Sequence, residues 1–142
     1  MWLRFTRSFQ RPVFFAQQEA SRRGVSEVPP EYLLLGLLQE QDAAATRILD
    51  RLGVPRAHLR ADMERLLAPH GRCCEVQRLT PAALKAVDLA SDEARQLGDD
   101  ALGAEHLLLG LLAEGESLAA GVLARRGASL EGARQVIFHQ RK

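Results

Sequence analysis

The densest apolar positions of the chain fall in two short stretches, Leu33-Leu34-Leu35-Gly36-Leu37-Leu38 and Leu107-Leu108-Leu109-Gly110-Leu111-Leu112, opened by Glu31 and Glu105. Leucine at five of six positions leaves no polar face, which predicts a short helix nearly surrounded by protein. These leucines read as core. Glycine within such a helix costs about 1 kcal/mol relative to alanine, so Gly36 and Gly110 predict a close crossing with another helix. Around these stretches the pattern thins into single stripes of helical period. Val13, Ala16 and Ala20, with Phe14-Phe15, form a stripe that runs from a cap at Thr6 to a stop at Gly24. Thr80-Pro81 is a cleaner start, a cap followed by proline at the first helical position, for a helix through Leu89 and Ala94 to Gly98. Pro12 lies too deep for a first-turn proline and predicts a kink or a late start. Third helices are expected over about 43–52 and 117–126, ended by Gly53 and Gly127. Fourth helices begin near Pro55 and Ser129, the earlier one ending at Leu67 before Pro69. No strand signal competes with this reading.

The two leucine stretches lie 74 residues apart, and the offset carries their flanks with it: Thr6 maps to Thr80, Val13 to Val87, Glu19 to Glu93, Gly24 to Gly98, Leu49 to Leu123 and Gly53 to Gly127. Residues 4–65 set against 78–139 share 20 identities in 62 positions, where chance would give roughly 4. The chain is an internal tandem duplication. The expected fold is all-α, two four-helix repeats related by a pseudo-twofold axis and packed into one domain. The first repeat spans about 4–67, a linker 68–77, and the second repeat about 78–139.

Composition narrows the function classes. At 142 residues and 46% hydrophobic content the chain can bury a core of its own. Nineteen basic against eighteen acidic residues give a net charge of +1, so bulk electrostatics argue for neither nucleic acid nor membrane. The longest apolar runs are far shorter than the ~20 residues a membrane span needs. With no signal-peptide pattern at the start, a cytoplasmic protein is the default. Cys73 and Cys74 are adjacent and His70 supplies only a third ligand, so neither a disulfide framework nor a metal site is expected. There is no acid pair, no Cys-His arrangement and no Gly-x-x-x-x-Gly-Lys-Ser/Thr phosphate loop. The expectation is a protein that is not an enzyme and needs no cofactor.

Several motifs carry a resemblance. Arg4-Phe5-Thr6, Ala20-Ser21-Arg22-Arg23-Gly24, Glu31 with Leu33-Leu34-Leu35-Gly36-Leu37 and Glu40, and Leu52-Gly53-Val54 mark the first half. Arg78-Leu79-Thr80-Pro81, Asp92-Glu93-Ala94-Arg95-Gln96-Leu97-Gly98 and Gly103-Ala104-Glu105-His106-Leu107-Leu108-Leu109-Gly110-Leu111 mark the second. Over nearly the whole chain the sequence resembles the amino-terminal domain of the Clp family of AAA+ unfoldases, the ClpC type in particular; the expectation is a free-standing copy without AAA+ modules, the alternative a fragment of a larger protein. The resemblance implies a non-catalytic docking surface for substrates and adaptors of a Clp protease or unfoldase, and a reader of phosphorylated arginine. A reader needs anion donors and a carboxylate close together. Thr6 and Thr80 stand at helix N-termini, Arg4 and Arg78 lie two residues before them, and Glu31 and Glu105 open the leucine helices. Each also has an ordinary role as a cap, a dipole partner or a solvated charge. The family pattern Gly-Thr-Glu-His becomes Gly103-Ala104-Glu105-His106 in the second repeat and Pro29-Pro30-Glu31-Tyr32 in the first. The main site is therefore expected in the second repeat, at Arg78, Thr80 and Glu105, with His106 packed or capping rather than catalytic. The competing reading is a stress-response or small-molecule-sequestering protein that kept the fold and lost contact with Clp.

Overall fold

The computed structural model describes residues 4–39, 44–67 and 78–141. The expected linker, with Cys73 and Cys74, lies outside the described residues, as does Glu40. Among the described residues eight helices follow one another: α1 (Arg7–Arg22), α2 (Pro30–Gln39), α3 (Ala44–Arg51), α4 (Arg56–Leu66), α5 (Pro81–Gln96), α6 (Ala104–Glu114), α7 (Leu118–Arg125) and α8 (Leu130–Gln140). The first, third and fourth helices of each half begin and end at positions that correspond under the duplication. Positive φ angles at Gly24, Gly53, Gly98 and Gly127 end the helices where the glycines predicted.

α2 and α6 form the centre. Leu33, Leu34, Leu37 and Leu38, like Leu107, Leu108, Leu109 and Leu111, are completely buried. The glycines within these helices explain the crossings. A Cβ on Gly36 would stand 2.3 Å from the Pro12 carbonyl oxygen of α1, and one on Gly110 would stand 2.1 Å from the Ala86 carbonyl oxygen of α5. Pro12 and Ala86 correspond under the duplication, so the same helix pair closes at the same point twice. Pro12 does not delay its helix, which starts at Arg7 and runs past the proline without a break in assignment. The expected late start therefore does not occur; the proline sits where the crossing needs its backbone.

Two further features depart from a purely helical sequence reading. The described residues include four two-residue strands: β1 (Arg4–Phe5), β2 (Glu27–Val28), β3 (Arg78–Leu79) and β4 (Ala101–Leu102). They pair in parallel across the duplication, β1 with β4 and β2 with β3, in the registers Arg4 to Ala101 and Glu27 to Arg78. Segments this short carry no readable alternation, which is why the pattern of apolar residues missed them. The third helices also cross over: α3 packs on α6 and α8, and α7 on α2 and α4. The repeats are interlocked rather than laid side by side.

Candidate functional site

Because the strands exchange partners, the start of each repeat lies beside the loop that opens the leucine helix of the other repeat. Thr6 therefore belongs with Gly103, Ala104 and Glu105, and Thr80 with Pro29, Pro30 and Glu31. The expected grouping of Arg78, Thr80 and Glu105 in one site is corrected by this exchange. Glu105 faces the junction that holds Arg4 and Thr6, while Arg78 and Thr80 join Glu31.

The first junction brings the N-termini of α1 and α6 together. Thr6 donates its backbone N–H to the Leu102 carbonyl at 2.9 Å and its hydroxyl to the same oxygen at 2.6 Å. Thr6 thus occupies the N-cap position of α1 without capping it through its side chain. Ser8 stands 2.9 Å from the Thr6 hydroxyl and accepts the Ala104 backbone N–H at 3.2 Å. Since the Thr6 proton goes to Leu102, the Ser8 hydroxyl donates to Thr6. The Glu105 carboxylate folds over Gly103: a Cβ on that glycine would lie 2.0 Å from Glu105 Oε1 and 3.2 Å from Ser8 Oγ. Arg4, on β1, is exposed. Helix amides point toward the helix start, so two helix dipoles favour an anion at this junction, with a part-exposed carboxylate beside it.

His106 builds the wall of that junction. Its Nδ1 accepts the Gly103 backbone N–H at 2.9 Å, and its Nε2 lies 2.7 Å from Asp99 Oδ2. An Nδ1 that accepts carries no proton, so Nε2–H donates to Asp99 and the ring is neutral. Its 3.5 Å approach to Glu105 is then not an ion pair. Arg141, just past α8, holds the same Asp99 with two hydrogen bonds of 3.0 and 2.9 Å. Burial alone would raise the Asp99 pKa, but the hydrogen bonds from Arg141 and His106 and the charge of Arg141 bring it below the ordinary aspartate value. The histidine packs and caps.

The second junction is built differently. Thr80 caps α5 by accepting the Ala83 N–H at 3.1 Å, and its own N–H goes to the Val28 carbonyl at 3.1 Å. Pro29, Pro30 and Pro81 each remove a backbone donor from the place where an anion would bind. Glu31 is 7% exposed, and its Oε1 accepts the Ala119 N–H of α7 at 3.3 Å. It serves as an internal helix-terminus partner, with little surface left for a ligand. Tyr32 replaces the histidine of the other half and is buried, which raises its phenol pKa.

Ser8 is the residue that sequence reasoning missed. Its counterpart is Ala82, and it stands across from Ala104, where the family pattern has threonine. The signal available was the contrast within the duplication, a hydroxyl at Ser8 where the other half has Ala82. Only the strand exchange brings that hydroxyl within 3.2 Å of the Ala104 nitrogen. Among the described residues no group of three His, Cys, Asp or Glu side chains is placed to hold a metal ion. No single helix among them is long and apolar enough to cross a membrane.

The chain matches the family described as the Clp repeat (R) N-terminal domain over residues 4–126 and again over 78–140. It belongs to that family. It is 39% identical over 138 residues to the negative regulator of genetic competence ClpC/MecB of Bacillus subtilis, and 40% identical over 129 residues to a chloroplastic ClpC chaperone of Pisum sativum. These alignments cover 97% and 90% of the chain, but only 17% and 14% of those proteins. Among solved structures, the N-terminal domain of ClpD from Arabidopsis thaliana superposes with a TM-score of 0.71 at 22% identity, covering 94% of each chain. The N-terminal domain of Hsp104 from Candida albicans gives 0.75 at 17% identity, covering 93% of this chain and 87% of that one. At those identities the structural likeness establishes the fold: two interlocked repeats of the Clp N-domain type.

Proposed function

We propose that this Clp N-domain is a non-catalytic docking module for proteins handled by a Clp unfoldase or protease, substrates or adaptors, and that it reads a phosphorylated arginine at one junction. The observation that carries the reading is the convergence of the α1 and α6 N-termini on a point flanked by the Glu105 carboxylate. The phosphoryl group takes the first-turn amides, and the Thr6 and Ser8 hydroxyls turn from their partners at Leu102 and Thr6 to donate to it, with Arg4 at hand as a cation. The guanidinium of the same side chain donates to Glu105. The junction at Thr80 and Arg78 is not used, because three prolines remove its donors and Glu31 is committed to α7. Family membership supports the coarser part of the proposal, and the retained donors and carboxylate support the finer part.

Calorimetric titration with a phosphoarginine peptide tests it. One site per chain is expected, with Glu105→Ala and Thr6→Ala weakening binding by about tenfold or more, the scale of a charge-assisted hydrogen bond. Thr80→Ala should leave the affinity unchanged. Loss of binding in Thr80→Ala with none in Glu105→Ala would place the ligand elsewhere, and no binding at all would leave protein docking as the function to be sought by capture of Clp subunits.

A further inference from the structure

α4 and α7 enclose a notch of about 370 Å³ lined by Asp62, Arg65, Leu66, Val122, Arg125 and Arg126, none of them a residue of either junction. Arg126 grips Asp62 through Nε and Nη2 at 2.7 and 2.9 Å, and Arg65 bonds to the same carboxylate. The hydrogen bonds and charge of Arg126 hold Asp62 below the ordinary aspartate range, so the carboxylate is ionised at neutral pH. Three guanidinium groups thus surround a single carboxylate, and the notch keeps an excess of positive charge. Two of the arginines are already oriented by Asp62, which lowers the entropy lost on binding an anion. Leu66 is 47% exposed at the rim, and Val122 is buried beneath.

The duplication supplies a control within the same molecule. The corresponding junction joins α3 to α8. There Leu52 and Val136, part-buried against the core, stand where Arg126 and Asp62 stand here, and Gln140 replaces Leu66. An apolar pair therefore closes this helix junction as well as an ion pair does, and a partly buried ion pair gains little over its apolar isostere. The fold does not require these charges. The charged closure also sits beside an exposed leucine, a combination found in one half of the molecule only.

We infer that the notch between α4 and α7 is a docking site for an acidic segment of a partner protein, one that offers an aliphatic side chain flanked by carboxylates. The carboxylates complete the charge of Arg65, Arg125 and Arg126, and the aliphatic side chain covers Leu66 and Val122. The apolar part of the lining selects a peptide over a simple anion, which would leave Leu66 uncovered. The site is separate from the junction at Glu105 and does not depend on its reading of phosphoarginine.

The test is fluorescence anisotropy of a labelled synthetic peptide with a central leucine flanked by glutamates, measured on the whole chain at low and at high ionic strength. Saturable binding weakened by salt is expected, with Arg125→Glu raising Kd by about tenfold and Leu66→Ser weakening it as well. The double variant Asp62→Val with Arg126→Leu copies the closure of the other half, so it keeps the fold, checked by circular dichroism, and should also lose affinity. The same peptide with serine in place of leucine should bind more weakly, and inorganic phosphate should not displace the parent peptide at comparable concentration. Absence of saturable binding, affinity indifferent to Arg125→Glu and Leu66→Ser, or full displacement by phosphate would each overturn the assignment.

Discussion

At Gly36 and Gly110 the missing Cβ is what allows two helix pairs to touch. The atom that a side chain would strike is a backbone carbonyl oxygen, 2.3 Å away at Gly36 and 2.1 Å at Gly110, and backbone in a helix cannot step aside cheaply. Gly36→Ala and Gly110→Ala should each destabilise the protein by about 2–3 kcal/mol, the upper range for overpacking a core. Gly121, within α7, is the contrast: a Cβ there meets nothing within 4 Å. Gly121→Ala should stabilise by about 0.5–1 kcal/mol, through helix propensity alone. Chemical denaturation of the three variants checks both signs, and a neutral Gly36→Ala would refute the account of the crossing. The glycines were legible in the sequence as a cost needing a reason. His106 was legible as a packed residue, though not its bond to Asp99, because a loop residue seven positions away has no periodic relation to it.

Between elements, a few carboxylates do the joining. Asp62 ties α4 to α7 through Arg126, and Asp99 ties the loop before β4 to His106 and to Arg141 beyond α8. Both have pKa values below the ordinary 3.8. A carboxyl depressed in the folded state contributes stability that is fully present above its unfolded pKa and is lost as pH falls through the lower folded value. The protein should therefore lose stability below about pH 4, and Asp62→Asn and Asp99→Asn should each flatten that acid limb while lowering stability at neutral pH. Urea unfolding across an acid pH series measures this, and a variant whose pH dependence matched the parent would remove its carboxylate from the account. The helices themselves were readable, since their stripes, caps and terminal glycines are local. The four two-residue strands were not, because their hydrogen bonds run between segments some 50 to 97 residues apart and leave no local trace.

For the whole molecule, the exchange of strands decides which residues can act together. It unites Arg4, Thr6 and Ser8 with Ala104 and Glu105, and leaves Arg78 and Thr80 beside Glu31 and three prolines. The proposed phosphoarginine reading then predicts one site per chain. Replacing Pro29 and Pro30 with glycine and alanine should restore backbone donors without restoring a second site, because Glu31 stays bound to the Ala119 N–H. Calorimetric stoichiometry near one for both parent and variant is the expected result, and a value near two in the variant would show that Glu31 can be recruited after all.

The amino-acid sequence by itself determined the duplication, the helices and their ends, the buried leucine centre and the membership in a family. Those properties are written in local period and in identity at a constant offset, both of which survive in one dimension. The tertiary structure alone decided how the residues are grouped: that Glu105 answers to Thr6 rather than Thr80, that the Ser8 hydroxyl meets the Ala104 N–H, and that Asp62 holds arginines from α4 and from the end of α7. Each of these is a contact across the interlocked repeats, where the chain distance is long and the spatial distance is set by strand pairing and helix packing.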